Sequence, residues 1–99
     1  MGKNTHQKSN SLFIYRMRMG FKQKYVACLL GQSTTSMVSR YERGQSLPPL
    51  KVALSLGAIL RVPVEFLFPG LYDELRVRIR TKEESLALPG QQSLFPMHQ

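Results

Sequence analysis

The stretch from Gln23 to Gly44, QKYVACLLGQSTTSMVSRYERG, decides the fold of this 99-residue chain. Its first half carries Val26, Ala27 and Leu30 on one stripe at helical spacing. Gly31 follows at once, and glycine readily takes the left-handed backbone that ends a helix. The pattern predicts a short amphipathic helix that stops at Gly31.

The second half of the stretch predicts another short helix. Val38 and Tyr41 lie three residues apart and give it an apolar side. Ser33 or Thr34 can cap it, because a hydroxyl oxygen accepts a hydrogen bond from the unpaired N–H groups of a first turn. Short hydroxyl side chains occupy the opposite side: Thr34, Thr35, Ser36 and Ser39. A helix of about Thr34 to Arg43 would therefore tolerate close approach to another surface.

The sequence on either side predicts three more helices and an all-α fold. A first helix, capped by Ser11 or Asn10, should pack across the second and third through Leu12, Tyr15 and Met19. The prolines at 48 and 49 start a fourth helix, and Pro63 opens a short fifth that ends at 68–70. The apolar residues predicted for the fourth helix are Leu50, Leu54, Gly57 and Leu60, with Gly57 interpreted as a point of close packing.

The segment at 71–88, LYDELRVRIRTKEESLAL, fits two patterns. Leu71, Leu75 and Ile79 form a helical stripe, whereas RVRIR alternates like a strand. We predict a helix, because its acids lie near the start and its bases later, as the helix dipole favours. Its apolar side would dock on its own domain or on a second subunit. The predicted divisions are a flexible basic arm at 1–10, a five-helix domain at 11–69, a helical extension at 70–85 and a disordered tail at 86–99.

Positive charge is concentrated in the first two thirds of the chain. The formal net charge is +8, and residues 1–64 hold ten Lys or Arg against a single acid, Glu42. Residues 65–99 hold four bases and five acids. A polyanion such as DNA is attracted to such a basic region by a field that salt weakens. The charge alone is equally compatible with a solvated surface that keeps a small protein soluble.

These residues resemble the Cro and lambda-repressor type of helix-turn-helix protein, also called the XRE family. The resemblance spans about 12–68, and its strength lies in the order and spacing of short motifs. They are Leu12 with Tyr15-Arg16, Gly20 with Gln23, Val26-Ala27, Leu29-Leu30-Gly31, Ser39-Arg40-Tyr41-Glu42-Arg43-Gly44, Leu47-Pro48, and Val62 through Leu67-Phe68. Three features depart from the pattern: Lys22 replaces a small capping residue, one extra residue lies between Gly31 and Val38, and Arg61 stands where glycine is usual.

The resemblance implies sequence-specific binding of double-stranded DNA by a small transcriptional regulator. It implies a repressor that acts as a homodimer and reads the major groove with the helix near 34–43. The candidate base contacts are Thr34, Thr35, Ser36 and Ser39, with Gln32 and Ser33 beside them. The candidate phosphate contacts are Lys22, Lys24, Arg40 and Arg43, and Gln23 would contact the DNA backbone or brace the first recognition residues. Arg16 and Glu42 would form a structural ion pair between the first helix and the end of the recognition helix.

Other classes of function find little support. Cys28 is the only cysteine, so an intramolecular disulfide and a four-cysteine zinc site are excluded, and we expect a partly buried bystander. His6 and His98 lie near opposite ends of the sequence, and no phosphate-binding glycine loop is present, so we expect no enzyme, cofactor or metal. No apolar run is long enough to cross a membrane, and we expect a cytoplasmic protein of bacterial or phage type. The alternative is an adaptor of the antitoxin or anti-repressor type, which would bind a protein partner with the same helical domain and through 70–99.

Overall fold

The computed structural model describes residues 10–87, and six helices account for most of them. They are α1 (Leu12–Met19), α2 (Gln23–Leu29), α3 (Ser36–Glu42), α4 (Leu50–Leu60), α5 (Val64–Leu67) and α6 (Pro69–Leu86). Residues 10–87 contain no strand. The all-α prediction is confirmed, and so is the choice of a helix over a strand for the segment after 70. The arm at 1–9 and most of the predicted tail, at 88–99, lie outside the described residues.

The first five helices enclose one small core. α1 packs on α3 and α4, α2 packs on α3, and α4 packs on α5. The predicted packing of α1 on the third helix is confirmed, and α1 also packs on α4, which the sequence did not predict. Each helix contributes side chains three or four residues apart, which places them on one side of the helix. The buried apolar residues are Leu12, Val26, Ala27, Val38, Tyr41, Leu56, Leu60 and Leu67. Burial of such a side chain contributes about 1.5 to 3 kcal/mol, so this cluster supplies most of the apolar stabilisation.

The second helix ends as predicted, in a left-handed turn at Gly31. Gly31 has a φ of 80°, and its N–H donates to the carbonyl oxygen of Cys28 at 3.0 Å. The N–H of Gln32 donates to the carbonyl oxygen of Ala27 at 2.9 Å. These two bonds form a Schellman motif, which satisfies the last carbonyl groups of α2 and turns the chain toward α3.

Arg61 ends α4 in the same backbone conformation, although it carries a Cβ. Its φ and ψ are 64° and 39°, and the N–H of the next residue, Val62, donates to the carbonyl oxygen of Gly57 at 3.1 Å. Gly57 itself is buried, and a Cβ placed on it would lie 3.0 Å from the carbonyl oxygen of Val62. The interpretation of Gly57 as a point of close packing is confirmed.

Several details of the prediction were wrong. Leu50 and Leu54, assigned to the apolar stripe of α4, are 72% and 53% exposed, because Leu56, Gly57 and Leu60 face the core instead. The pair at 69–70, expected to end the fifth helix, begins α6. Proline suits a first helical position because its missing N–H would have had no partner there. Cys28, expected to be partly buried, is exposed.

Candidate nucleic-acid interface

Helix α3 has a buried side and an exposed side. Val38 and Tyr41 fix its inner side, with only 2% and 4% of their surfaces exposed. Ser36, Arg40 and Arg43 are exposed, and their spacing of four and three residues places them on the opposite side. The inner contacts therefore hold the helix in an orientation that presents a hydroxyl and two guanidinium groups to solvent.

The helix begins two residues later than the sequence predicted. Thr34 and Thr35 lie in the turn, and Thr35 occupies the N-cap position without a side-chain cap hydrogen bond. The backbone N–H of Ser36 donates to the Oγ1 of Thr34 at 3.3 Å. This local bond satisfies one of the N–H groups that the first turn of a helix leaves without an intrahelical partner. Arg43, predicted as the last helical residue, follows the helix as its C-cap.

The candidate DNA-contacting residues lie on α2, α3 and the turn between them. Seven are exposed: Lys22, Lys24, Ser33, Thr34, Ser36, Arg40 and Arg43. Four are half-buried: Gln23, Gln32, Thr35 and Ser39. The Oε1 atom of Gln32 is buried and has no hydrogen-bond partner among the described residues. Lys22 precedes α2 in an extended conformation and makes no side-chain cap bond, as its replacement of a small capping residue suggests.

A buried network joins α3 to the two helices before it. Arg16 of α1 donates to both carboxylate oxygens of Glu42, from Nε at 2.5 Å and from Nη2 at 3.1 Å. Its Nη1 donates to the carbonyl oxygen of Phe21 at 2.9 Å. Gln23 of α2 donates from Nε2 to the Oε1 of Glu42 at 3.0 Å. Both charged side chains are at most 10% exposed, so the structure places Arg16 and Glu42 as a bidentate internal pair.

Gln23 therefore belongs to this internal network through its amide nitrogen. The sequence offered two roles for it, contact with a DNA backbone or support of the first recognition residues, and the bond of its Nε2 is neither of them. In the structure its Nε2 supports the C-terminal end of α3 by holding the Glu42 carboxylate.

Asn10 makes a second connection to α3 that sequence reasoning missed. Its Nδ2 donates to the carbonyl oxygen of Tyr41 at 2.7 Å, and its Oδ1 accepts from the N–H of Leu12 at 3.0 Å. One amide thus satisfies an orphan N–H at the start of α1 and adds a second donor to the carbonyl oxygen of Tyr41, which also accepts from the N–H of Gly44 at 3.1 Å. The sequence signal for Asn10 was only that of a helix cap, because its partner on α3 lies 31 residues away.

The exposed cations around α3 lack acidic partners nearby. Glu42 is the only acid in 10–64, and its carboxylate is engaged by Arg16. Among residues 10–87, no carboxylate lies within ion-pair distance of Lys22, Lys24, Arg40 or Arg43. Arg40 instead donates to the Oγ of Ser46 at 3.3 Å. This surface is consequently positive and free to attract an anion.

Over 10–87, no group of three or more His, Cys, Asp or Glu side chains could hold a metal ion. None of the helices described is both long enough and apolar enough to cross a membrane.

A helix-turn-helix family model matches residues 12–67, which is more than half of the chain. The chain belongs to this family, the Cro, lambda-repressor or XRE type of helix-turn-helix protein. No curated protein and no solved structure shows significant similarity to the chain.

Membership in this family gives α2 and α3 their function. The chain is a DNA-binding regulator, and its helix-turn-helix is formed by α2, the turn at Gly31 and α3. The family is a regulatory one and is typically not enzymatic. DNA is therefore a partner of this protein.

Proposed function

We propose that the protein is a sequence-specific repressor that binds double-stranded DNA as a homodimer and places α3 in the major groove. The observation that carries the proposal is the contrast between the two sides of α3. Val38 and Tyr41 are buried, whereas Ser36, Arg40 and Arg43 are exposed and free of acidic partners among the described residues. A helix held in this way can present a fixed set of side chains to base edges.

The roles of the exposed residues follow from their chemistry. Ser36, in the first turn of α3, and Thr34, in the turn before it, can exchange hydrogen bonds with base edges at close range. Thr35 and Ser39, which are half-buried, flank them. Long cations grip phosphates without a fixed register, and this role falls to Lys22, Lys24, Arg40 and Arg43. The turn residues Gln32 and Ser33 lie beside the same surface.

A repressor role requires no activity beyond binding to DNA. A compact domain that occupies a promoter can block transcription without a further activity. A twofold dimer would bind two half-sites about 34 to 36 Å apart, one turn of DNA. Inverted repeats with this spacing are the expected operator.

The experiment is selection of bound sequences from a random duplex pool by the purified full chain at about 150 mM salt, where purely electrostatic binding is weak. We expect an enriched inverted repeat. A pool recovered without enrichment, from protein shown to be folded by circular dichroism, would contradict sequence-specific recognition.

Two substitutions separate base contact from phosphate contact once a site is known. Ser36→Ala should reduce the preference for the selected site by about 1 to 3 kcal/mol and leave binding to random DNA unchanged. Lys24→Ala should weaken both kinds of DNA alike and reduce the slope of log K against log salt by about 1. An equal loss on both kinds of DNA in the Ser36→Ala variant would show that Ser36 does not read bases.

A second candidate function is favoured by one observation. Helix α6 buries none of its residues, although Tyr72, Leu75 and Ile79 are apolar. An adaptor of the antitoxin or anti-repressor type could use this helix to bind another protein. Failure to enrich any DNA sequence, together with capture of one defined partner by wild-type but not by an Ile79→Asp variant, would favour this function.

A further inference from the structure

The apolar residues of α6 recur at the spacing of a coiled coil. Tyr72, Leu75, Ile79 and Leu86 are separated by three, four and seven residues, and Lys82 stands at the remaining position of the series. In heptad notation Tyr72, Ile79 and Leu86 occupy a positions, and Leu75 and Lys82 occupy d positions. This alternation of three and four residues forms a straight seam along one side of a helix.

This seam is not covered by the domain that carries it. Ile79 and Leu86 are 53% and 48% exposed, and no residue of α6 is buried. The main contact of α6 is with α5, at its N-terminal end. Side chains this apolar and this regular, left open to water over about 21 Å of helix, fit a surface that a partner helix covers.

The exposed surface continues from α6 onto the domain. Tyr72 and Leu75 line a groove together with Leu47 and Leu50. Leu50 is 72% exposed, the largest value among the exposed large apolar side chains. A helix lying along α6 would also reach this groove, so the two apolar surfaces form one continuous interface.

The charges beside the seam identify the partner. Arg78 lies at a g position, and Glu83 lies five residues later at the following e position. Within α6 they form exposed pairs with Glu74 and Arg80, which cost little to exchange for pairs with another helix. In a parallel pair of identical helices, a g residue of one helix faces the next e residue of the other, so opposite charges there are attractive. We propose that α6 pairs in parallel with α6 of a second copy of this chain, with Arg78 of each copy beside Glu83 of the other. This inference rests on the proposed homodimer and names its interface.

The same charges disfavour the fully overlapped antiparallel arrangement. With Leu75 packed against Ile79 of an antiparallel copy, the flanking residues would meet their own equivalents. Arg76 would face Arg76, and Arg78 would face Arg78, which is repulsive at both edges of the seam. The parallel arrangement instead has two symmetric Arg78–Glu83 pairs and aligns every apolar layer from Tyr72 to Leu86.

Lys82 limits the strength of the pairing. In the parallel arrangement the two Lys82 side chains meet at a d position, and a polar residue there fixes register at a cost in stability. Helix α6 also spans only about two and a half heptads, fewer than the three or four that sustain an independent coiled coil. The free protein should therefore dimerise at micromolar or higher concentration. Two half-sites on one DNA would raise the local concentration of the two monomers that bind them.

The experiment is sedimentation equilibrium of the full chain without DNA, at about 10 to 300 μM protein. We expect a reversible monomer–dimer equilibrium that Ile79→Asp abolishes. The matched control is Val77→Asp, which makes the same kind of substitution at a residue 49% exposed on the outer side of α6 and should leave the equilibrium unchanged. A wild-type chain that stays monomeric throughout, or equal losses in the two variants, would overturn the proposal.

Exchange of the charges at Arg78 and Glu83 tests the register of the two α6 helices. Arg78→Glu and Glu83→Arg should each raise the dissociation constant about five-fold, and the double variant should return it to the wild-type value. Lys82→Leu should lower it about ten-fold. A staggered antiparallel pair would bring Arg76 beside Glu83. Arg78→Glu would then leave the dissociation constant unchanged, and the double variant would not return it to the wild-type value. That result would overturn the parallel arrangement.

The outcome is separable from that of the DNA selection. A monomeric chain that still enriches a single half-site would overturn this interface and leave sequence-specific DNA binding intact. A dimer with the expected charge dependence that enriches no DNA would support the interface and contradict the proposed repressor.

Discussion

Helices α3 and α6 use their apolar residues in opposite ways. α3 has only seven residues, yet it buries Val38 and Tyr41 and is bonded to the rest of the domain at its C-terminal end. α6 has 18 residues and buries none. The difference shows that the length of a helix says little about its contribution to the folded state. Tertiary packing stabilises α3, while α6 retains an apolar side for another surface.

Their ion pairs differ in the same way. Arg16 and Glu42, which hold α3, are at most 10% exposed and connect residues 26 apart in the sequence. On α6 the pairs Asp73–Arg76 and Arg80–Glu83 connect neighbouring turns, and their side chains are 46–62% exposed. Exposed pairs of this kind contribute less than about 1 kcal/mol, whereas loss of one partner of a buried pair leaves an uncompensated charge.

The largest effect is therefore expected from Glu42→Ala. It should lower the free energy of unfolding by about 3 to 5 kcal/mol, because the Arg16 guanidinium is left buried without its partner. Urea unfolding at pH 7 measures this change. Asp73→Ala, which breaks an exposed pair on α6, should lower it by less than about 1 kcal/mol. Similar losses in the two variants would show that the buried network does not hold α3 in place.

Substitutions of leucine extend the same comparison to apolar contacts. Leu67→Ala should cost about 2 to 5 kcal/mol, because Leu67 is fully buried and its removal leaves a cavity. Leu75→Ala on α6 should cost less than about 1 kcal/mol at low micromolar protein concentration, since Leu75 is 42% exposed. Thermal or urea unfolding distinguishes these values, and a large loss in the Leu75 variant would mean that α6 is part of the core.

A smaller effect is expected at Gly57, where close packing opposes helix propensity. Gly57→Ala should cost about 1 to 3 kcal/mol, since the added Cβ would lie 3.0 Å from the carbonyl oxygen of Val62. The reverse exchange at the exposed neighbour, Ala58→Gly, gives the propensity effect alone, about 1 kcal/mol. If Gly57→Ala instead stabilised the protein by that amount, α4 would not approach the α5 connection closely.

The smallest effect is a gain in stability. Arg61→Gly should raise the free energy of unfolding by about 0.5 to 1 kcal/mol, because glycine adopts a φ of 64° without the Cβ clash that arginine suffers. Arg61→Ala retains a Cβ and should stay within about 0.5 kcal/mol of wild type. Equal stability of the glycine and alanine variants would show that the backbone at this position is not strained.

The sequence predicted the parts of the fold that depend on local pattern. The stripes at Val26-Ala27 and at Val38 and Tyr41 gave the buried sides of α2 and α3, and Gly31 gave the end of α2. These features follow from spacing within one or two helical turns and from the backbone freedom of glycine. Local chemistry was sufficient for them.

Features that depend on contacts between residues far apart in the sequence were predicted less accurately. Leu50 and Leu54 fit a helical stripe as well as Leu56 and Leu60 do, and only the neighbouring helices decide which side of α4 is buried. α3 starts at Ser36 rather than at Thr34, and the side chain of Thr34 accepts a bond from the N–H of Ser36 in the first turn. The bond from Asn10 to α3 left no sequence signal, because Asn10 and Tyr41 are 31 residues apart and only the folded chain brings them together.

That bond from Asn10 also determines where the protein can be labelled. An affinity tag or fluorophore fused directly to Asn10, in place of residues 1–9, would lie next to the carbonyl oxygen of Tyr41, at the end of the helix proposed to enter the major groove. Such a fusion would crowd the surface that an immobilised duplex must approach. A tag placed beyond Ala87 follows the far end of α6 and leaves α3 accessible, so binding assays are better built on that end of the molecule.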